Sequence, residues 1–121
     1  MKLNGIMLGS ENPKALGDFY TKVLGEPGWQ QDDWYGYQVG GSSLMIGAHS
    51  EVQGQNHSPG RIITAFETDD MQNEFTRIKE AGATVIAEPY QPSADDNPDT
   101  WLATFADPDG NYFQLATPWE S

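Results

Sequence analysis

Residues 6–25 read IMLGSENPKALGDFYTKVLG, and residues 63–82, 57 positions further on, read ITAFETDDMQNEFTRIKEAG. Each stretch opens with a short apolar run, passes into a segment whose apolar residues recur at helical spacing, and ends at a glycine. In the first, Asn12 is a good N-cap and Pro13 fits the first helical position, where its missing N–H costs nothing. Ala15, Leu16, Phe19, Tyr20, Val23 and Leu24 then form one apolar stripe, and Gly25 can stop the helix in the left-handed conformation. In the second, Asp69 or Asp70 caps the helix, with Asp69 and Gln72 at capping-box spacing. Met71, Phe75 and Ile78 make its buried face, and Gly82 is the stop.

Working outward, each copy continues in the same way. Residues 3–8 form a strand before the first helix, and 29–31 a short strand after it. Residues 34–39 and 42–47 then make a hairpin across Gly40-Gly41, a pair that tolerates the positive φ angles of a two-residue turn. In the second copy the strands are 61–67 and 84–87. A Pro-, Asp- and Asn-containing loop (89–99) follows, then a hairpin over 100–117 that turns at Asp107-Pro108-Asp109-Gly110. The polar, breaker-rich stretch AHSEVQGQNHSPG (48–60) separates the copies. The expected class is α+β: one domain over residues 1–121, built from two βαβββ modules, 2–47 and 61–117, with 48–60 as linker.

A chain of 121 residues can bury about two thirds of its unfolded surface, enough for a full core. No apolar run approaches the roughly 18 residues that span a bilayer, and the first residues lack a signal-peptide layout, so a cytoplasmic location is expected, with no membrane partner. The absence of cysteine excludes disulfides, thiolate metal sites and thiol nucleophiles. Eighteen acidic against six basic residues give a net charge of −12, which opposes binding to nucleic acid. The surplus acid serves solubility in salt or the attraction of a cationic ligand.

The segments DFYTKVLG (18–25) and FADPDGNYFQL (105–115), at this separation, resemble the vicinal-oxygen-chelate superfamily. That group holds glyoxalases, extradiol dioxygenases, and fosfomycin- and bleomycin-resistance proteins. The resemblance spans residues 2–118. It implies mixed sheets that curve around a cavity, usually completed by a homodimer. In the metal enzymes of the group, histidine or glutamate side chains from the first and last strands of each module converge on one divalent ion. The matching positions here are Gly5, Met45, Ile63 and Gln114. Glycine and isoleucine offer no ligand atom, a thioether suits hard ions poorly, and one amide oxygen does not hold a catalytic metal against water. No metal and no cofactor are therefore expected.

Other candidates do not restore the cluster. His49 and His57 both lie in the polar linker. Asp32-Asp33, Asp69-Asp70 and Asp95-Asp96 fit caps and solvated loops, and Asp107 and Asp109 are turn formers. No catalytic residue is assigned.

Alternation along the strands gives an inward-facing set. With Val39 opposite Ser42, Gly36 opposes Met45 and Trp34 opposes Gly47. With a type I turn and glycine bulge at 107–110, Phe105 opposes Phe113 and Thr104 opposes Gln114. The ligand-binding set is then Met7, Trp34, Gln38, Met45, Thr104 and Gln114. Small residues such as Gly36 and Gly47 are expected to leave room for a ligand, and Trp29, Tyr90 and Trp101 to rim the opening. An indole, two thioethers and a few amide or hydroxyl groups supply dispersion and orientation, and little acid–base chemistry. The preferred function is binding and sequestration of a cationic or aromatic small organic molecule, without metal, as in the bleomycin-resistance branch. The alternatives are a lyase or isomerase with atypical or no metal ligands, in which Gln114 and Thr104 polarise a carbonyl and Glu67 acts as base, and a regulatory module that has lost its ligand.

Overall fold

The computed structural model describes residues 1–119. In chain order the elements are β1 (Gly5–Ser10), α1 (Pro13–Leu24), β2 (Trp29–Gln31), β3 (Trp34–Val39), β4 (Ser42–Ala48), β5 (Thr64–Glu67), α2 (Met71–Glu80), β6 (Thr84–Tyr90), β7 (Leu102–Ala106) and β8 (Tyr112–Ala116). They fall into two compact units, Met1–Gln55 and the chain from Asn56 on. Both are α+β with the same wiring. The first unit has a four-stranded sheet in the order β1-β4-β3-β2, the second in the order β5-β8-β7-β6. In each, the first strand lies parallel to the last and the remaining pairs are antiparallel. The duplication read from residues 6–25 and 63–82 is thus a duplicated βαβββ topology.

In the first unit Asn12 caps α1, its side-chain oxygen accepting from the Ala15 N–H, and Pro13 begins the helix. Leu16, Tyr20, Leu44 and Ile46 are buried between helix and sheet. Gly17 has a packing role: a Cβ there would stand 2.8 Å from the Tyr35 ring. The Tyr37 hydroxyl donates to the Gly17 carbonyl at 2.7 Å and lies 2.9 Å from the Thr21 hydroxyl, tying β3 to α1.

In the second unit Asp70 is the cap. Its carboxylate accepts from both the backbone N–H and the side-chain amide of Asn73, so the pair at work is Asp70–Asn73 rather than Asp69–Gln72. The core is a run of rings: Phe75 stacks on Phe105 at 5.3 Å, Phe105 on Phe113 at 5.3 Å, and Phe66 meets Phe113 edge-on at 6.0 Å.

Several strand limits differ from expectation. β5 starts at Thr64, which pairs with Phe113 of β8, and residues 61–63 stay outside the ladder. β6 runs on to Tyr90 through Pro89, which an edge strand tolerates, and its register slips twice against β7.

The hairpin at 107–110 has the expected form. The Gly110 N–H donates to the Asp107 carbonyl at 2.9 Å, Gly110 has φ of 82°, and Phe105 pairs with Phe113. The buried Asp107 carboxylate accepts from the N–H groups of Asp109 and Asn111 and from the Asn111 amide. The linker is divided between the units. Gly54 donates to Glu11, whereas Asn56 bonds to the Asp109 carbonyl and to Asn111.

Candidate functional site

The β3–β4 register places Gly36 against Met45, and the β1–β4 register places Met45 beside Met7. These residues therefore share the face of the first sheet opposite α1, while Tyr35, Tyr37, Leu44 and Ile46 take the helix face. β2 joins the same face through a two-residue turn at Asp32-Asp33, with Asp32 at φ 53°, which sets Trp29 against Gly36. The Gly28 N–H donates to the Gly36 carbonyl at 2.9 Å and extends that pairing.

A cleft of about 460 Å³ opens there, lined by Gly28, Trp29, Gly36, Tyr37, Gln38, Ser43 and Met45. This is the size range of small-ligand pockets. A Cβ on Gly36 would stand 3.1 Å from the Met45 sulfur and 3.5 Å from Cε3 of Trp29. The thioether and the indole thus close over Gly36 and form an apolar floor. Gly36 does not leave a void for a ligand, as its size suggested; its missing side chain lets two larger ones reach the sheet.

The polar groups of this cleft are largely engaged already. Gln38 donates through Nε2 to the Gly40 and Ser42 carbonyls, and its Oε1 accepts from the Ser43 hydroxyl. The side chain braces the Gly40-Gly41 turn. The Tyr37 hydroxyl is turned to the helix side, and burial pushes its pKa above the usual phenol value, with the Thr21 contact acting in the opposite sense.

Of the six predicted ligand contacts, Met45 and Gln38 line the cleft. Met7 sits beside Met45 in register, 44% exposed, outside the lining. Trp34 lies against Gly47, where a Cβ would fall 2.4 Å from its ring, so the space at Gly47 is filled by this indole. Thr104 and Gln114 belong to the second unit, where they are cross-strand partners, with Ala65 next to Gln114. Thr104 is buried and Gln114 half-buried. Trp29, expected at a rim, is part of the lining. Asp32-Asp33, read from the sequence as a cap or solvated loop, is the two-residue turn between Gln31 and Trp34 that brings Trp29 there.

The residues do not fit a divalent metal. Among the described residues no three His, Cys, Asp or Glu side chains are grouped to hold one. At Gly5 a Cβ would stand 2.4 Å from the Ser43 carbonyl oxygen, so the backbone of β4 occupies the space a ligating side chain would need. Ile63 precedes β5 and is exposed. His49 accepts from the Glu51 N–H through Nδ1, and His57 is exposed in the same linker. Among the described residues no helix is long and apolar enough to cross a membrane.

Residues 5–116 match the family model of the glyoxalase-like domain, and the chain belongs to that family, within the vicinal-oxygen-chelate superfamily. Solved structures share the fold at low identity. A glyoxalase-related enzyme from Fulvimarina pelagi is 20% identical with a TM-score of 0.77, over 98% of this chain and 88% of that one. A glyoxalase/bleomycin resistance protein from Albidiferax ferrireducens T118 is 19% identical with a TM-score of 0.74, over 96% and 98%. A glyoxalase/bleomycin resistance protein/dioxygenase family enzyme from Burkholderia phytofirmans PsJN is 21% identical with a TM-score of 0.71, over 97% and 98%. No curated protein sequence matches the chain.

Proposed function

We propose that this chain binds and sequesters an aromatic small organic molecule without a metal ion. The observation that carries the reading is the cleft floored by Trp29 and Met45 over Gly36. An indole face and a thioether hold a flat ring through dispersion and sulfur–aromatic contact, and neither group moves protons. The donor set at Gly5, Met45, Ile63 and Gln114 supports a metal-free site by its chemistry. In the same reading the 121 residues act as one cytoplasmic domain and pair as a homodimer, which light scattering on the purified chain checks.

The test is tryptophan fluorescence titration with a panel of aromatic compounds. Saturable quenching in the wild type that weakens in Trp29→Leu supports the proposal. A panel that leaves both proteins unquenched overturns it.

A second reading, a lyase or isomerase, draws on Thr104 and Gln114, whose pairing puts a buried hydroxyl beside an amide in the second unit. Elemental analysis of protein purified without chelator separates the two. A stoichiometric transition metal favours the enzyme.

A further inference from the structure

We infer that the ligand of the Trp29–Met45 cleft is an uncharged planar aromatic, and that the cleft selects against cationic and anionic analogues of the same shape. This rests on the binding reading above and goes further by fixing the charge class. Among the described residues the lining contains no carboxylate, ammonium, guanidinium or imidazole. Apart from the Trp29 indole N–H, its hydrogen-bonding side chains are committed elsewhere. The Gln38 amide is spent on the hairpin turn, the Ser43 hydroxyl donates to Gln38, and the Tyr37 hydroxyl donates to Gly17 behind the sheet. A charged ring entering this cleft gives up hydration and meets no counter-charge, whereas a neutral ring of equal area gives up little.

The net charge of −12 does not reverse this. Charge spread over a surface is screened within about 8 Å at physiological salt. It speeds the approach of cations and repels anions, but retention depends on what the cleft itself presents. The face of Trp29 attracts cations as well. That ring is 47% exposed, however, and at a wet indole the attraction is small against the cost of stripping water from an organic cation. What remains is a flat apolar floor, with the Gly28 backbone close beside it.

The experiment is calorimetry near neutral pH with quinoline, N-methylquinolinium and quinoline-2-carboxylate, three probes of nearly one shape and different charge. Quinoline is expected to bind about tenfold more tightly than either ion. Trp29→Leu, at an exposed position, and Gly36→Val, whose methyls would displace Met45 and Trp29, are each expected to abolish most of that binding. Circular dichroism confirms that both variants fold. If N-methylquinolinium binds as tightly as quinoline or better, and loses affinity in Trp29→Leu, the charge inference fails while the binding site stands. If no probe shows Trp29-dependent binding, both fall.

Discussion

A Cβ built on Gly5 would stand 2.4 Å from the carbonyl oxygen of Ser43, so β1 and β4 approach more closely there than any side-chain-bearing residue permits. The family resemblance read from the sequence matches Gly5 to a metal-ligand position. Glycine offers no ligand atom, and the backbone of β4 fills the space a side chain would need. Restoring the side chain therefore requires β1 to move. Gly5→Ala is expected to destabilise the chain by about 1–3 kcal/mol, as overpacking does. Gly5→His combined with Met45→Glu is expected to take up no stoichiometric zinc or manganese when the dialysed protein is analysed for metal. Uptake of one equivalent would show that β1 yields and that only the ligand atoms were lacking.

Trp34 and Gly47 are coupled in the same way on the adjoining part of the sheet, with the ring 2.4 Å from where a Cβ would sit. Gly47→Ala is expected to cost about 1–3 kcal/mol in urea unfolding. Trp34→Ala removes a half-buried indole and is also destabilising. The double variant should cost less than the sum of the singles by roughly 0.5–3 kcal/mol, because the added methyl then fills space the ring vacated. Strict additivity would mean that the indole is free to swing aside.

Tyr37 gives a pH signature. Burial holds its folded pKa above that of an unfolded tyrosine, so the folded chain keeps the phenol proton when the unfolded chain begins to release it. The contribution is fully present below about pH 10 and is lost as pH rises through the folded pKa. Wild-type stability should therefore fall above pH 10 more steeply than that of Tyr37→Phe. At neutral pH the variant leaves the Gly17 carbonyl without its 2.7 Å donor and is expected to be about 1–3 kcal/mol less stable. Parallel pH profiles for the two proteins would show that Tyr37 ionises equally in both states.

The fold was legible because its signals are local and repeated. Asn12-Pro13, Gly40-Gly41 and Asp107 to Gly110 each dictate a backbone geometry, and pairing registers follow from the turns. Strand limits were less legible, as at residues 61–63, whose apolar Ile62 and Ile63 read as strand yet stay outside the β5–β8 ladder. The candidate site was legible only in part. Alternation put Met45 and Gln38 on the face where the cleft opens, but residue type alone did not show that Gln38 braces a turn. Nor did it show that the spaces at Gly36 and Gly47 are filled by indoles and a thioether. Those outcomes depend on side-chain direction, which composition does not encode.

The Asp107 turn tests whether hydrogen bonds or turn propensity hold the second hairpin. The carboxylate is buried, and one of its oxygens accepts from two backbone N–H groups, those of Asp109 and Asn111. Asp107→Ala orphans both and is expected to cost about 3 kcal/mol, whereas Asp107→Asn keeps one acceptor oxygen in place and should cost about 1 kcal/mol. The two are compared by urea unfolding, with amide exchange at Asp109 and Asn111 as the local readout. If alanine and asparagine cost the same and neither amide exchanges faster, Pro108 and Gly110 alone fix the turn. The carboxylate would then serve the hairpin only as a filler of space between β7 and β8.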